Sequence, residues 1–168
     1  RQLLDKGLLH ENVKTVVGDG LRLYTYEPKL TDEGLKFVTT VNKSQNEKIL
    51  RSASKPFQKT GGLKKLEGSL GIGVIKVSSV KPEHLIVEAP VRIFHSQEAV
   101  KYAFSNKEFT SNTIIVVRFQ GPRANGMPEL HGLTPILATL QDRGLSVALL
   151  TDGRMSGASG KVPSAIHM

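Results

Sequence analysis

With 168 residues and a 39% apolar fraction, the chain can build one ordinary domain around a real core. Its longest apolar runs fall far short of the roughly 20 residues that span a bilayer. The absence of cysteine excludes disulfides, thiolate catalysis and any cysteine-ligated metal or cluster held by these residues alone. The net charge of +8 is spread along the chain, net +5 over residues 1–70 and +3 over 71–168. There is no basic block and there are few aromatic side chains on which bases could stack, so neither nucleic acid nor membrane is an expected partner. What remains is a solvated basic surface, or one that draws in a small anionic substrate.

Arg1 to Leu9 carries Leu3, Leu4 and Leu8 at the spacing of one helical face and reads as the end of a helix. Charges at Asp5, Lys6, Glu11 and Lys14 are unlike a signal peptide, and the lack of an initiating Met leads us to expect a start inside a longer protein. Glu11 to Gly20 reads as a short strand-like run closed by glycines. Tyr24 to Phe37, with the turn-like Thr31-Asp32-Glu33-Gly34, reads as surface connection. Lys55-Pro56 disfavours helix in the polar stretch Asn46–Lys59. The main domain is expected to start between Asn46 and Leu70, which leaves 1–46 as the tail of a preceding domain or a connection and 47–168 as the domain proper.

Gly61 to Leu66 is a short basic segment, and Gly71 to Val77 is the first strong strand. Gly71 and Gly73 suggest a dinucleotide fingerprint, but Lys76 stands where its third glycine belongs, so the glycines are assigned to a tight turn. Leu85 to Phe94 is a second extended region, interrupted by Pro90, which suits an edge or a bend. Ser96 is placed to cap a helix with Ala99, Val100, Ala103 and Phe104 on its apolar side.

The apolar, β-branched run Thr113–Phe119 is followed by a predicted helix over Leu133–Arg143 and a second apolar run, Ser146–Leu150. Thr134 is assigned as the N-cap, Pro135 as the first helical residue and Gly144 as the residue just past the end, with Ile136, Leu137 and Leu140 forming the buried stripe. Strand, helix and strand in this order predict a βαβ unit with parallel strands. Parallel strands release their following loops at one sheet edge, so Gly121-Pro-Arg-Ala-Asn-Gly-Met-Pro-Glu129 and Asp152-Gly-Arg-Met-Ser-Gly-Ala-Ser-Gly160 should face one crevice.

Within that crevice Glu129 is the carboxylate best placed to take a hard cation such as Mg²⁺, although a solvated glutamate has the same signature. Asp152, at a strand end before glycine, reads first as a turn-former. Gly153 to Gly160 is rich in small residues and is predicted to run into a helix at Lys161 or Pro163. Such a junction would make an anion nest to which Arg154 and Lys161 add charge. It is not a P-loop, since Met155 and Val162 occupy positions that need glycine and a hydroxyl residue. Ser156 and Ser159 could act as nucleophile or base where a metal or a helix start stabilises the alkoxide; otherwise they are turn or capping hydroxyls. His131 and His167 show no partner.

The stretches R-F-Q-G-P-R-A-N-G-M-P-E-L-H and L-L-T-D-G-R-M-S-G-A-S-G-K-V-P-S-A-I-H resemble the family of dihydroxy-acid and sugar-acid dehydratases. G-L-L-H-E-N-V-K-T-V, K-P-F-Q-K-T-G-G-L and V-I-K-V-S-S-V-K-P-E-H resemble its 6-phosphogluconate branch, and the likeness runs over nearly the whole chain. The resemblance implies an α/β fold, a swivelling β-barrel-like domain of mixed sheet flanked by helices, here incomplete at both ends. It implies a hydro-lyase of the Entner–Doudoroff pathway that removes the C2 proton and C3 hydroxyl of a small anionic sugar acid. An iron–sulfur cluster and a Mg²⁺ or Mn²⁺ would assist, in a cytoplasmic homodimer whose larger N-terminal domain carries the cluster cysteines.

Carried over by motif, Glu129 corresponds to the metal ligand and Ser156 to the base; Arg123, Arg154, Ser159 and Lys161 are the charge- and hydroxyl-based candidates for holding substrate. Since the chain has no cysteine, inactivity in isolation is expected. A dehydratase for another sugar or dihydroxy acid, and a non-catalytic domain that binds an anion or a partner, are the alternative readings.

Overall fold

The computed structural model describes residues 1–40, 43–156 and 161–168. It divides into two compact units, residues 1–59 and 60–168.

The first unit is built from small pieces. A single helical turn, α1 (Gln2–Asp5), replaces the longer helix end expected there, and of its leucines only Leu4 is buried. Two short strands follow, β1 (Lys14–Thr15) and β2 (Gly18–Asp19), paired antiparallel. Tyr24–Phe37 is not the irregular connection its proline and glycine suggest. It forms most of a hairpin, β3 (Tyr26–Thr31) with β4 (Gly34–Thr39), closed by the Thr31–Gly34 turn. Gly34 takes φ +101° there and Thr31 Oγ1 donates to its carbonyl at 2.8 Å. Pro28 is tolerated because each strand of a two-stranded ribbon is an edge, where one missing N–H costs no ladder bond.

The second unit is a six-stranded mixed sheet with few helices. The strands are β5 (Leu63–Gly68), β6 (Gly71–Lys76), β7 (Val91–Phe94), β8 (Thr113–Val117), β9 (Val147–Thr151) and β10 (Ser164–Ile166). They lie in the order β5-β6-β10-β9-β8-β7. β7, β8, β9 and β10 run parallel, while β6 pairs antiparallel with both β10 and β5. The basic segment near Leu66 is thus the outer strand of a hairpin, turned by Gly71 at φ +118°. Of the extended region expected over Leu85–Phe94, only Val91–Phe94 is strand. It begins just past Pro90, whose carbonyl accepts the Ile114 N–H at 2.9 Å.

Helices α2 (Gln97–Ser105), α3 (Pro122–Asn125) and α4 (Thr134–Asp142) complete the unit. α2 starts as predicted, with Ser96 Oγ accepting the Ala99 N–H at 3.1 Å. α4 ends in a Schellman arrangement: Gly144 at φ +88° donates to Gln141 O and Leu145 donates to Leu140 O. Its start differs from expectation. A 3₁₀ turn over His131–Leu133 leads straight into the helix, so Thr134 already has helical φ and ψ and caps nothing. Its hydroxyl lies 3.5 Å from Met155 Sδ instead.

Alternate residues of the parallel strands, Ile115 and Val117 on β8 and Val147 and Leu149 on β9, form one core. It is shared with Val100 and Ala103 of α2 and Leu137 and Leu140 of α4. On the opposite face Ile114, Val116, Ala148 and Leu150 are only half-buried. The sheet is open, and no closed barrel occurs among the described residues. No helix is long and apolar enough to cross a membrane.

The helix expected at Lys161 or Pro163 is also a strand. Pro163 disfavours helix for the residue before it. The following residues gain a full set of partners as β10, with Ala165 set between Leu150 of β9 and Ile75 of β6.

Candidate active site

The C-terminal ends of four parallel strands meet at one edge of the sheet: His95 follows β7, Arg118–Gln120 follow β8, Asp152–Ser156 follow β9 and His167 follows β10. This is the edge at which open α/β sheets offer a crevice. Contacts along it are dense. The Asp152 carboxylate accepts the N–H of Gln120 at 3.0 Å and that of Gly121 at 2.9 Å. Arg154 Nε donates to Met127 O at 3.1 Å, Leu130 N–H to Arg154 O at 3.2 Å, and His167 N–H to Gly153 O at 3.0 Å. Glu129 and Arg154 face each other across an isolated parallel bridge. The two loops singled out by the βαβ pattern are therefore joined along their length.

Glu129 stands at the far end of this seam, with its side chain about one-third exposed. Its Oε1 accepts the N–H of Ser156 at 2.8 Å and that of His131 at 2.9 Å. Oε2 lies 3.8 Å from the Arg154 guanidinium. Desolvation is the largest single influence on this carboxyl and pushes its pKa up. Hydrogen bonds from the Ser156 hydroxyl and from the backbone N–H groups of Ser156 and His131, with the Arg154 charge behind them, together outweigh it and hold Glu129 below the ordinary value. The group is thus an anion at neutral pH, with the Ser156 hydroxyl directed at it.

The remaining candidates are placed differently. Arg123 is exposed on α3. Arg154 is half exposed but committed by its Nε to the neighbouring loop. Lys161 is paired with Asp142 at the end of α4. Ser159 lies outside the described residues. The anion nest expected before a helix is not formed by Gly153–Ser156, because no helix follows and two of the loop's N–H groups are already taken, Gly153 by Thr151 Oγ1 and Ser156 by Glu129. His131 does have a partner, through its backbone.

Sequence reasoning missed Gln120, His95 and Phe119. Gln120 is only 2% exposed. Its amide is aimed at the carbonyls of His95, Arg118 and Phe119 at 3.1–3.3 Å, and its Oε1 accepts from Asn125 at 3.4 Å. Phe119 has φ +64°, a conformation that is strained for a bulky side chain. Its ring meets His95 edge-on at 5.1 Å and lies under Arg118. The available signal was a glutamine ending an apolar strand directly before Gly-Pro, where a side chain pointing inward needs partners.

A divalent cation fits Glu129 in part. Hard cations take oxygen ligands, and Oε2 keeps lone pairs that no backbone group uses. Among the described residues no three His, Asp or Glu side chains are grouped as a metal site would need, so this carboxylate would be one ligand of a set completed elsewhere. An iron–sulfur cluster does not fit, since it is held by thiolates and the chain has none.

Residues 48–168 match the family of dihydroxy-acid/6-phosphogluconate dehydratase C-terminal domains. Over the whole chain the sequence is 62% identical to a phosphogluconate dehydratase of Pseudomonas aeruginosa and 50% identical to one of Escherichia coli K12. Over 95% of the chain it is 36% identical to a dihydroxy-acid dehydratase of Sulfurisphaera tokodaii. The chain spans 26–28% of the length of these curated relatives.

Proposed function

The chain belongs to the dihydroxy-acid/6-phosphogluconate dehydratase family, and from that premise we propose that it is part of a hydro-lyase converting 6-phospho-D-gluconate to 2-dehydro-3-deoxy-6-phosphogluconate. The observation that carries this reading is the contact between the two loops, in which the Ser156 N–H and hydroxyl meet the Glu129 carboxylate. The preference for a phosphorylated sugar acid rests on identities of 49–62% to relatives named phosphogluconate dehydratase, against 36% for the dihydroxy-acid dehydratase.

In this reading Ser156 removes the C2 proton of the substrate and the C3 hydroxyl departs, leaving an enol that tautomerises to the 2-keto acid. Ser156 is exposed at the crevice, so a substrate carbon can reach its oxygen. Beside a bare carboxylate an alkoxide is disfavoured by like charge. A Mg²⁺ or Mn²⁺ on Glu129 would supply the opposite charge, lowering the pKa of hydroxyl groups next to it and polarising substrate oxygens. Arg154 and Arg123 add positive charge on the same side for an anionic substrate, while Lys161 contributes less because Asp142 neutralises it. The cluster cysteines and the other metal ligands belong to the remainder of the full-length enzyme, a cytoplasmic homodimer, and the 168 residues alone do not turn over.

The test is a full-length polypeptide carrying this sequence, assayed for 2-keto acid from 6-phosphogluconate, gluconate and a branched 2,3-dihydroxy acid. Turnover of the phosphorylated acid alone is expected, and preference for either of the others moves the chain to another branch. Glu129→Gln keeps the shape and removes the charge. It should weaken Mg²⁺ binding and cut activity heavily, with partial recovery at high metal concentration. Unchanged metal dependence would show that Glu129 is not a ligand.

A further inference from the structure

We propose that Asp152, together with Gln120, is a positioning pair that sets the separation of Glu129 and Ser156. The proposal rests on the roles just given to those two residues. Asp152 touches neither of them. It follows β9 directly, and its carboxylate receives the N–H groups of Gln120 and Gly121, the residues at which the other loop departs from the end of β8. The fit is close on both sides. A Cβ on Gly121 would stand 3.1 Å from Asp152 Oδ2, and one on Gly153 would stand 2.7 Å from the Cβ of Gln120. Neither glycine can be enlarged without parting the loops.

Gln120 fixes the other half of the clasp. Its buried amide gathers the carbonyls of His95, Arg118 and Phe119, and so holds the chain through the left-handed φ of Phe119. From this anchored pair the loops run side by side, Gln120 to Glu129 and Asp152 to Ser156, joined midway by Arg154 Nε to Met127 O and Leu130 N–H to Arg154 O. One end is a buried clasp and the other is the pair of reacting groups. A displacement at the clasp is passed along a short, hydrogen-bonded seam. Rate falls steeply with such displacement, roughly 10²-fold for about 1 Å.

The experiment uses Asp152→Asn in the full-length polypeptide. This change keeps the shape and replaces one acceptor oxygen with a donor that faces a backbone N–H. Two quantities are read: backbone amide exchange in D₂O by mass spectrometry, and exchange of the substrate C2 proton. The first is expected to speed up at His131 and Ser156, the two donors to Glu129, as well as at Gln120 and Gly121. The second is expected to fall by roughly 10²-fold, with the KM for substrate unchanged. Faster amide exchange confined to Gln120 and Gly121, with C2 exchange intact, would overturn the proposal and leave Asp152 as a local turn-former.

If Asp152→Asn does not fold, Gln120→Met removes the buried amide contacts while leaving the carboxylate in place, and the same two readouts apply. Ser156→Ala run in parallel separates the two ideas. If it leaves C2 exchange intact, the assignment of the base fails, while the amide-exchange result still decides whether the clasp positions the loops.

Discussion

Polar side chains hold together both residues 1–59 and the loops after β8 and β9, but they do so under opposite conditions. In the first unit Arg22 reaches Asp5 and Glu11, at 2.7 Å for the latter, with all three side chains about 40% exposed. Beneath them only Leu4 and Thr25 are buried among the described residues, while Val16 is almost wholly in solvent. In the second unit the acceptors Asp152 and Glu129 bind backbone N–H groups, and the loops sit on a core of thirteen buried apolar residues. Water competes with the first set of contacts and is largely kept from the clasp in the second. A salt bridge in water does little to fix geometry, whereas a carboxylate holding backbone amides over a packed sheet determines where the chain goes.

That contrast can be broken most forcefully in the core. Leu140 is fully buried under the loops, and Leu140→Ala should cost about 2–5 kcal/mol in chemical denaturation. Leu35→Ala on the exposed hairpin should cost far less, since 61% of Leu35 is already in solvent. Equal effects would mean that the first unit has a core of its own. A smaller effect is expected at the start of α2. Ser96→Ala deletes the hydroxyl that accepts the Ala99 N–H and should cost about 1 kcal/mol, read in the same denaturation series.

The least effect belongs to the Arg22 cluster. Its contacts should lose influence in about 1 M salt, where the screening length falls to about 3 Å, so that Arg22→Ala and the parent become indistinguishable there. A pH series adds a sign. The hydrogen bond from Arg22, chiefly, holds the Asp5 carboxyl below its ordinary pKa. A carboxyl lowered in the folded state stabilises above its unfolded pKa and loses that contribution as pH falls through the lower folded value. The difference between Arg22→Ala and the parent should therefore close only below about pH 4. A difference that instead widened on acidification would contradict the assignment.

The legible parts of the sequence were those in which local pattern and tertiary demand agree. Thr113–Val117 and Val147–Thr151 are β-branched or apolar runs of strand length, and the stretch between them carries Pro and Gly at the ends where a helix wants them. From that came the parallel pair and the shared crevice of Glu129 and Ser156. Ser96 was readable for the same reason, its hydroxyl serving only its own helix. The Tyr26–Thr39 hairpin was hidden because Pro28 and the glycine-containing turn resemble loop, and only the cross-strand register shows that a two-stranded ribbon accepts them. Ser164–Ile166 was hidden because its partners, Ile75 and Leu150, lie far away in sequence. Gln120 and Asp152 were hidden in the same way: a glutamine and an aspartate 32 residues apart acquire meaning only when the sheet brings them to 3.0 Å.

The most direct measurement of the central claim is solvent exchange of the substrate C2 proton in the full-length polypeptide, parent against Ser156→Ala. Alanine should leave the fold intact, since the loop contact from this residue to Glu129 through its N–H remains. Removal of a positioned general base is worth roughly 10²–10⁴-fold. C2 exchange and elimination should both fall by that order in the variant. If the variant exchanges the C2 proton as fast as the parent while elimination alone slows, Ser156 is not the base, and the contact of Ser156 with Glu129 is structural.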